Sequence, residues 1–97
     1  MALMADEEIQ ARLEGLEGWE RSGDSIRKRF TLGDFVASVE FVNQLVAPAE
    51  EMGHHPDLEI SWNKVTVSLS THSQGGLTEA DFDLAGRIDA IGEQAAG

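Results

Sequence analysis

Three histidines and two acids carry the types and spacing in this chain that could do acid–base chemistry. His54 and His55 stand side by side before Pro56, and His72 and Asp81 follow downstream. Imidazole, with an ordinary pKa near ~6.5, gives and takes protons around neutrality. All three fall at predicted element boundaries, where a scaffold presents working groups. Glu50 lies one helical turn before His54, close enough to orient or charge that ring if the helix continues so far. Pro56 pushes His55 into an extended conformation, so the two adjacent rings are expected to point in different directions. Plainer readings stand beside these: His54 as a helix C-cap, His55 and His72 as solvated residues. Asp81 is also the acid of a capping box, Thr78-Glu79-Ala80-Asp81. Three imidazoles can hold zinc, but adjacent histidines are an awkward donor pair and no i, i+4 pair occurs, so no metal is expected. The sequence has no Gly-x-Ser-x-Gly elbow, phosphate loop or dinucleotide fingerprint. With no cysteine, disulfides, thiolate chemistry and cysteine-ligated metals are excluded.

The elements that must position these groups follow from periodicity. Residues 5–16 predict a helix, with Asp6, Glu7 and Glu8 in its first turn and Ile9, Leu13 and Leu16 as its apolar stripe. Residues 19–21 and 25–31 predict two strands around Ser22-Gly23-Asp24, with Ile26, Lys28 and Phe30 alternating in the second. A long helix over residues 33–52 starts at Asp34 and repeats Phe35, Val39, Val42, Val46 and Ala49. Pro48 predicts a kink or weakened turn near Gln44 to Ala47, and Gly53 suits the left-handed closing position. Leu58, Ile60 and Trp62 form a third alternating strand, Asn63-Lys64 a tight connection, and Val65, Val67 and Leu69 a fourth strand. Ser73 to Gly76 reads as a loop. The last helix runs from Thr78 through Phe82, Ala85, Ile88 and Ile91 to a frayed tail at Gln94 to Gly97. Trp62 is expected in the core; Trp19 is either core or a flat wall for an aromatic ligand.

The order helix, two strands, helix, two strands, helix predicts an α+β fold. It is a single two-layer domain over residues 1–97, a four-stranded antiparallel sheet with three helices on one face. A tight turn makes strands three and four antiparallel neighbours, so the start of one lies opposite the end of the other. Hairpin register thus carries His55 and His72 to the same end and turns scattered histidines into one candidate site.

Eighteen acids against seven bases leave a net charge of −11. That surface repels phosphate backbones and anionic lipid, so neither nucleic acid nor membrane is an expected partner. No apolar run approaches the ~20 residues of a membrane span, and Met-Ala-Leu-Met is too short for a signal-peptide core. The expectation is a soluble, cytoplasmic protein.

Glu50-x-x-x-His54-His55-Pro56, followed by Trp62, His72 and Asp81 at these intervals, resembles the signature of the pterin-4a-carbinolamine dehydratases. These are also called 4a-hydroxytetrahydrobiopterin dehydratases, or the dimerisation-cofactor family. Gly18-Trp19, Phe30 with Asp34-Phe35, Asn63-Lys64-Val65 and Leu69-Ser70-Thr71-His72 are similar to that family too, so the likeness spans most of the chain. Leu58, Trp62 and Ala80 depart from it, standing where an aromatic, a tyrosine and a basic residue are usual. The resemblance implies dehydration of a 4a-hydroxytetrahydropterin to the quinonoid dihydropterin, in tetrahydrobiopterin recycling, without metal or organic cofactor. It implies His54 and His72 as the acid–base pair, His55 polarising or holding the hydroxyl, and Asp81 orienting a neighbour. Glu50 would give support, Trp19 a ring contact, and Pro56, Thr71 and Ser73 backbone contacts to the pterin. A homodimer or homotetramer is implied as well. The alternative from a different class is a non-catalytic binding, assembly or dimerisation cofactor for a protein partner.

Overall fold

Short-range rules set where most elements begin and end. In the computed structural model, which describes residues 2–96, helix α1 spans Asp6–Glu14, with its three acids in the first turn. Strands β1 (Glu20–Ser22) and β2 (Ser25–Thr31) form the first hairpin. Helix α2 spans Phe35–Met52; Asp34 caps it by accepting the Ala37 N–H at 2.8 Å. Pro48 sits inside α2 without dividing it. A proline there costs one backbone hydrogen bond, and its buried ring offsets part of that loss.

The end of α2 directs the rest of the molecule. Gly53 is left-handed (φ 60°), its N–H reaches the Glu50 carbonyl at 3.2 Å, and the His54 N–H reaches the Ala49 carbonyl at 3.0 Å. Those two nested bonds make a Schellman motif, which closes the last carbonyls and reverses the chain.

Strands β3 (Asp57–Ser61) and β4 (Lys64–Leu69) form the second hairpin. Their connection is Trp62-Asn63, one residue earlier than the expected Asn63-Lys64, because Ser61 pairs with Lys64. Trp62 has φ 52°, and a positive φ at the first of two turn residues is a primed hairpin geometry. Leaving the strand removes Trp62 from the Leu58/Ile60 alternation. It is 66% exposed rather than in the core. A one-turn 3-10 helix, His72–Gln74, precedes α3 (Glu79–Ala96). Gln94 continues that helix instead of fraying; Met1 and Gly97 lie outside the described residues.

The sheet is antiparallel throughout, in the order β1-β2-β4-β3. One face carries Ile26, Phe30, Val65, Val67 and Leu69, closed by Phe41 and Leu45 of α2, Phe82, Leu84 and Ile88 of α3, and Ile9 of α1. Arg27, Arg29, Thr66 and Ser68 point to the other, helix-free face, as alternation requires. The helix, strand and layer order is therefore the expected one.

Phe30 sets how closely α3 can approach the sheet. A Cβ at Gly92 would lie 2.7 Å from Phe30 Cε2 and 2.9 Å from Cδ2, while Phe41 holds the ring from another side at 4.9 Å between centroids. Gly92→Ala should therefore destabilise the fold by about 1–3 kcal/mol through overpacking. At Gly53 nothing lies within 4 Å of the added Cβ, so Gly53→Ala should cost only the left-handed backbone penalty, about 1–2 kcal/mol. Urea unfolding of the two variants checks this; a neutral Gly92→Ala would contradict the packing.

Candidate functional site

The reversal after Gly53 sends His54 inward and His55 outward. His54 Nε2 lies 2.6 Å from Asp81 Oδ1. Asp81 is wholly buried in the first turn of α3, and its second oxygen is also held. Oδ2 accepts the Thr71 hydroxyl at 2.9 Å and the Thr78 N–H at 2.9 Å. The second of these is the reciprocal half of the capping box, so Asp81 serves the helix and the histidine together.

A carboxylate accepts and does not donate, so the proton of this pair sits on His54 Nε2. The side chain of His54 is 13% exposed. Its Nδ1 has no partner among the described residues and is not sealed from water. His54 is thus a ring whose orientation is set by a buried carboxylate and whose other nitrogen keeps some contact with solvent.

His55 pairs instead with Glu50, Nε2 to Oε2 at 2.5 Å, both side chains about two-thirds exposed. The sequence placed Glu50 against His54; the left-handed turn at Gly53 exchanges the two rings. His55, Pro56 and Leu58 border an apolar groove of about 220 Å³ against Val42, Val46 and Ala49 of α2. His72 is exposed, with Nε2 3.7 Å from Asp57 Oδ2. That contact realises the hairpin register, in which Asp57 lies across from Ser68. His72 borders a separate open depression of about 450 Å³ on the helix-free face, with Ser68, Ser70 and Asp24.

The histidines therefore gather at one end of the second hairpin, each beside its own carboxylate: Asp81, Glu50 and Asp57. His55 and His72 border different depressions, the first against α2 and the second on the helix-free face. Among the described residues, no three His, Asp or Glu side chains are grouped to hold a metal ion.

The other expected site residues divide. Pro56 lies in the groove wall and Ser73 is exposed in the 3-10 turn. Thr71 is 7% exposed, and its backbone is consumed by the loop. Its N–H goes to the Gly76 carbonyl, and its own carbonyl accepts from Gln74 and Gly75. It has no free backbone group to offer a ligand, and its hydroxyl is spent on Asp81. Trp19 is the core residue of its two open roles. It is 5% exposed, packs edge-on against Phe30, and donates its indole N–H to Asp89. It adjoins β1, the sheet edge farthest from the histidines, and presents no ring face to a ligand there. Sequence reasoning missed Asp57, although the register that paired His55 with the end of β4 placed Asp57 there too. It also missed the hydroxyl of Thr78, whose signal was the first position of the capping box.

Residues 2–91 match the family model described as Pterin 4 alpha carbinolamine dehydratase. A protein of Roseiflexus castenholzii is 54% identical over 90 residues, covering 93% of this chain and 97% of its own. One of Picosynechococcus sp. is 51% identical over 88 residues, covering 91% and 96%. Both carry the provisional name pterin-4-alpha-carbinolamine dehydratase. Among solved structures, a transcriptional coactivator/pterin dehydratase from Brucella melitensis superposes with TM-score 0.90 at 33% identity, covering 99% of this chain and 100% of its own. A pterin dehydratase-like RuBisCO assembly factor of the alpha-carboxysome superposes with TM-score 0.63 at 28% identity, covering 76% and 86%.

Asp81→Asn tests the buried acceptor directly. An amide offers one acceptor oxygen and an NH2, which must confront either the His54 N–H or the Thr71 and Thr78 donors. The expected loss is about 1–3 kcal/mol for each buried group left unsatisfied, read by urea unfolding. Unchanged stability would show that these donors find other partners.

Proposed function

Because the chain belongs to the pterin-4a-carbinolamine dehydratase family, we propose that it removes water from a 4a-hydroxytetrahydropterin. The reaction would serve tetrahydrobiopterin recycling in the cytoplasm, with no metal or organic cofactor. The C4a–O bond breaks and its electron pair leaves with the hydroxyl. The N5–H pair forms the new C4a=N5 bond. One group takes the N5 proton and another protonates the departing oxygen, so the products are the quinonoid dihydropterin and water. Positioned side chains of this kind contribute ~10²–10⁴-fold each.

The observation that carries this reading is the His54–Asp81 pair: Nε2 held at 2.6 Å by a buried carboxylate, Nδ1 open. A ring fixed in orientation and tautomer loses no freedom when it transfers a proton. His72 stands at the same hairpin end and is its acid–base counterpart. His55, steadied by Glu50, polarises or holds the hydroxyl. Pro56 and Ser73 contact the pterin, with Leu58 extending the apolar wall. Recognition of the pterin rests on stacking and hydrogen bonding, which a net charge of −11 does not oppose.

A second reading draws on the β3 edge, where Leu58 and Ile60 are each 39% exposed and Trp62 is 66% exposed. An uncovered apolar edge strand invites pairing. Its occupant in this reading is another copy of the chain, giving a homodimer or homotetramer. The alternative is a partner protein held in a non-catalytic assembly or dimerisation role, as the name of the carboxysome factor suggests for that protein.

Dehydration of a synthetic 4a-hydroxytetrahydropterin should be accelerated by the wild type, and at least one of His54→Ala and His72→Ala should lose ~10²-fold or more. Chelators should leave the rate unchanged. An inert wild type would favour the binding role; two fully active variants would overturn the assignment of His54 and His72 as the acid–base pair. In sedimentation at micromolar concentration, two or four copies are expected; a strict monomer would count against self-association.

A further inference from the structure

Thr71 and Thr78 form a buried hydroxyl pair behind Asp81, with their Oγ1 atoms 2.7 Å apart. Both residues are buried, Thr78 completely. The direction of this pair follows from counting protons. A hydroxyl has one proton, and that of Thr71 goes to Asp81 Oδ2 at 2.9 Å. Thr71 can then only accept from Thr78, so the Thr78 hydroxyl donates to it. The chain runs one way: Thr78 to Thr71, and Thr71 to Asp81, whose other oxygen holds His54.

We propose that Thr71 and Thr78 are positioning residues: their directed hydroxyl chain pins Asp81 Oδ2, so that Oδ1 holds the His54 ring in one tautomer. Without Thr71, Oδ2 would be held by the Thr78 N–H alone and Oδ1 only by the ring it is meant to fix; the Thr71 hydroxyl anchors the carboxylate independently of His54. The same chain couples the two histidine segments. Thr71 immediately precedes His72, and the Thr71–Gly76 bridge closes the loop that carries it. Anything that moves Thr71 therefore shifts His72 and loosens His54 together. The kinetic part of this inference rests on the dehydratase reading; the ring-tautomer part does not.

The test uses Thr71→Val, which keeps shape and removes the donor, and Thr71→Ser, which restores a hydroxyl. With the synthetic carbinolamine, Thr71→Val should lower kcat about ten- to hundredfold, the kinetic equivalent of one hydrogen bond to a charged acceptor. KM should change less than about threefold, because bound and reacting substrate lose the same contacts only if Thr71 touches substrate. Thr71→Ser should recover most of the loss. Nitrogen-15 NMR of the imidazoles should show His54 protonated at Nε2 in wild type and Thr71→Ser, and a mixture of tautomers in Thr71→Val. A Thr71→Val protein that keeps both its kcat and a single His54 tautomer overturns the proposal, as does a Ser variant as impaired as Val. If the wild type is inert, the dehydratase reading fails while the NMR comparison still decides the positioning role. If Thr71→Val does not fold, Thr78→Val, which leaves the Thr71–Asp81 bond in place, replaces it in the same NMR comparison. A single unchanged tautomer there overturns the Thr78 link.

Discussion

A carboxylate shut away from water is stable only where protein donors replace its hydration, and Asp81 is such a group. Its replacements come from three parts of the chain: an imidazole beyond α2, a hydroxyl beyond β4, and the N-terminal residue of the capping box of α3. Satisfying it therefore requires the second hairpin, the end of the long helix and the start of the last helix to meet at one point. An unsatisfied charge there would cost several kcal/mol, a large share of the ~5–15 kcal/mol available to a domain of this size. Fold and site are held by the same bonds.

The consequences reach outward from that point. Because Oδ1 takes Nε2 of His54, the ring presents Nδ1. Because the Schellman turn spends the His54 N–H on Ala49, the backbone cannot follow another path to reach Asp81. His55, one residue on, is turned toward Glu50, and Pro56 starts the extended run into β3. The three imidazole–carboxylate pairs differ in what they can contribute. The His55 and His72 pairs are exposed, and such pairs add little to stability; their freedom suits groups that must meet a ligand. Only the His54 pair is built into the core.

The surface carries a different constraint. Most of the excess acid faces solvent, while β3 leaves Leu58, Ile60 and Trp62 uncovered. A core this small gains by burying such an edge against another chain. The groove beside His55 includes Leu58, so whatever covers that edge also bears on one wall of the site.

Local rules were legible in the residues themselves. Alternation in β2 and β4 predicted their buried faces. Asp34, Gly53 and the Thr78–Asp81 box predicted the ends of helices, because capping depends on a few neighbouring side chains. The hairpin turn, read one residue late, still brought His55 and His72 to a common end. What needed the folded chain were choices among equivalent neighbours. Glu50 is one turn from His54 on paper, yet a single left-handed glycine gives it to His55. Trp62 shares parity with Ile60 only while it stays in the strand, and its place in the turn exposes it. Trp19 could have been a wall or a core ring until Asp89, seventy residues away, closed over its N–H. Thr71 offered a backbone for a ligand until Gly76 took its N–H and Gln74 and Gly75 its carbonyl. Sequence determined the fold, its layers and the family, because those rest on periodicity and on residue types. Tertiary structure alone decided which carboxylate meets which imidazole, because a contact between distant segments depends on how many degrees each turn rotates the chain, and spacing does not record that.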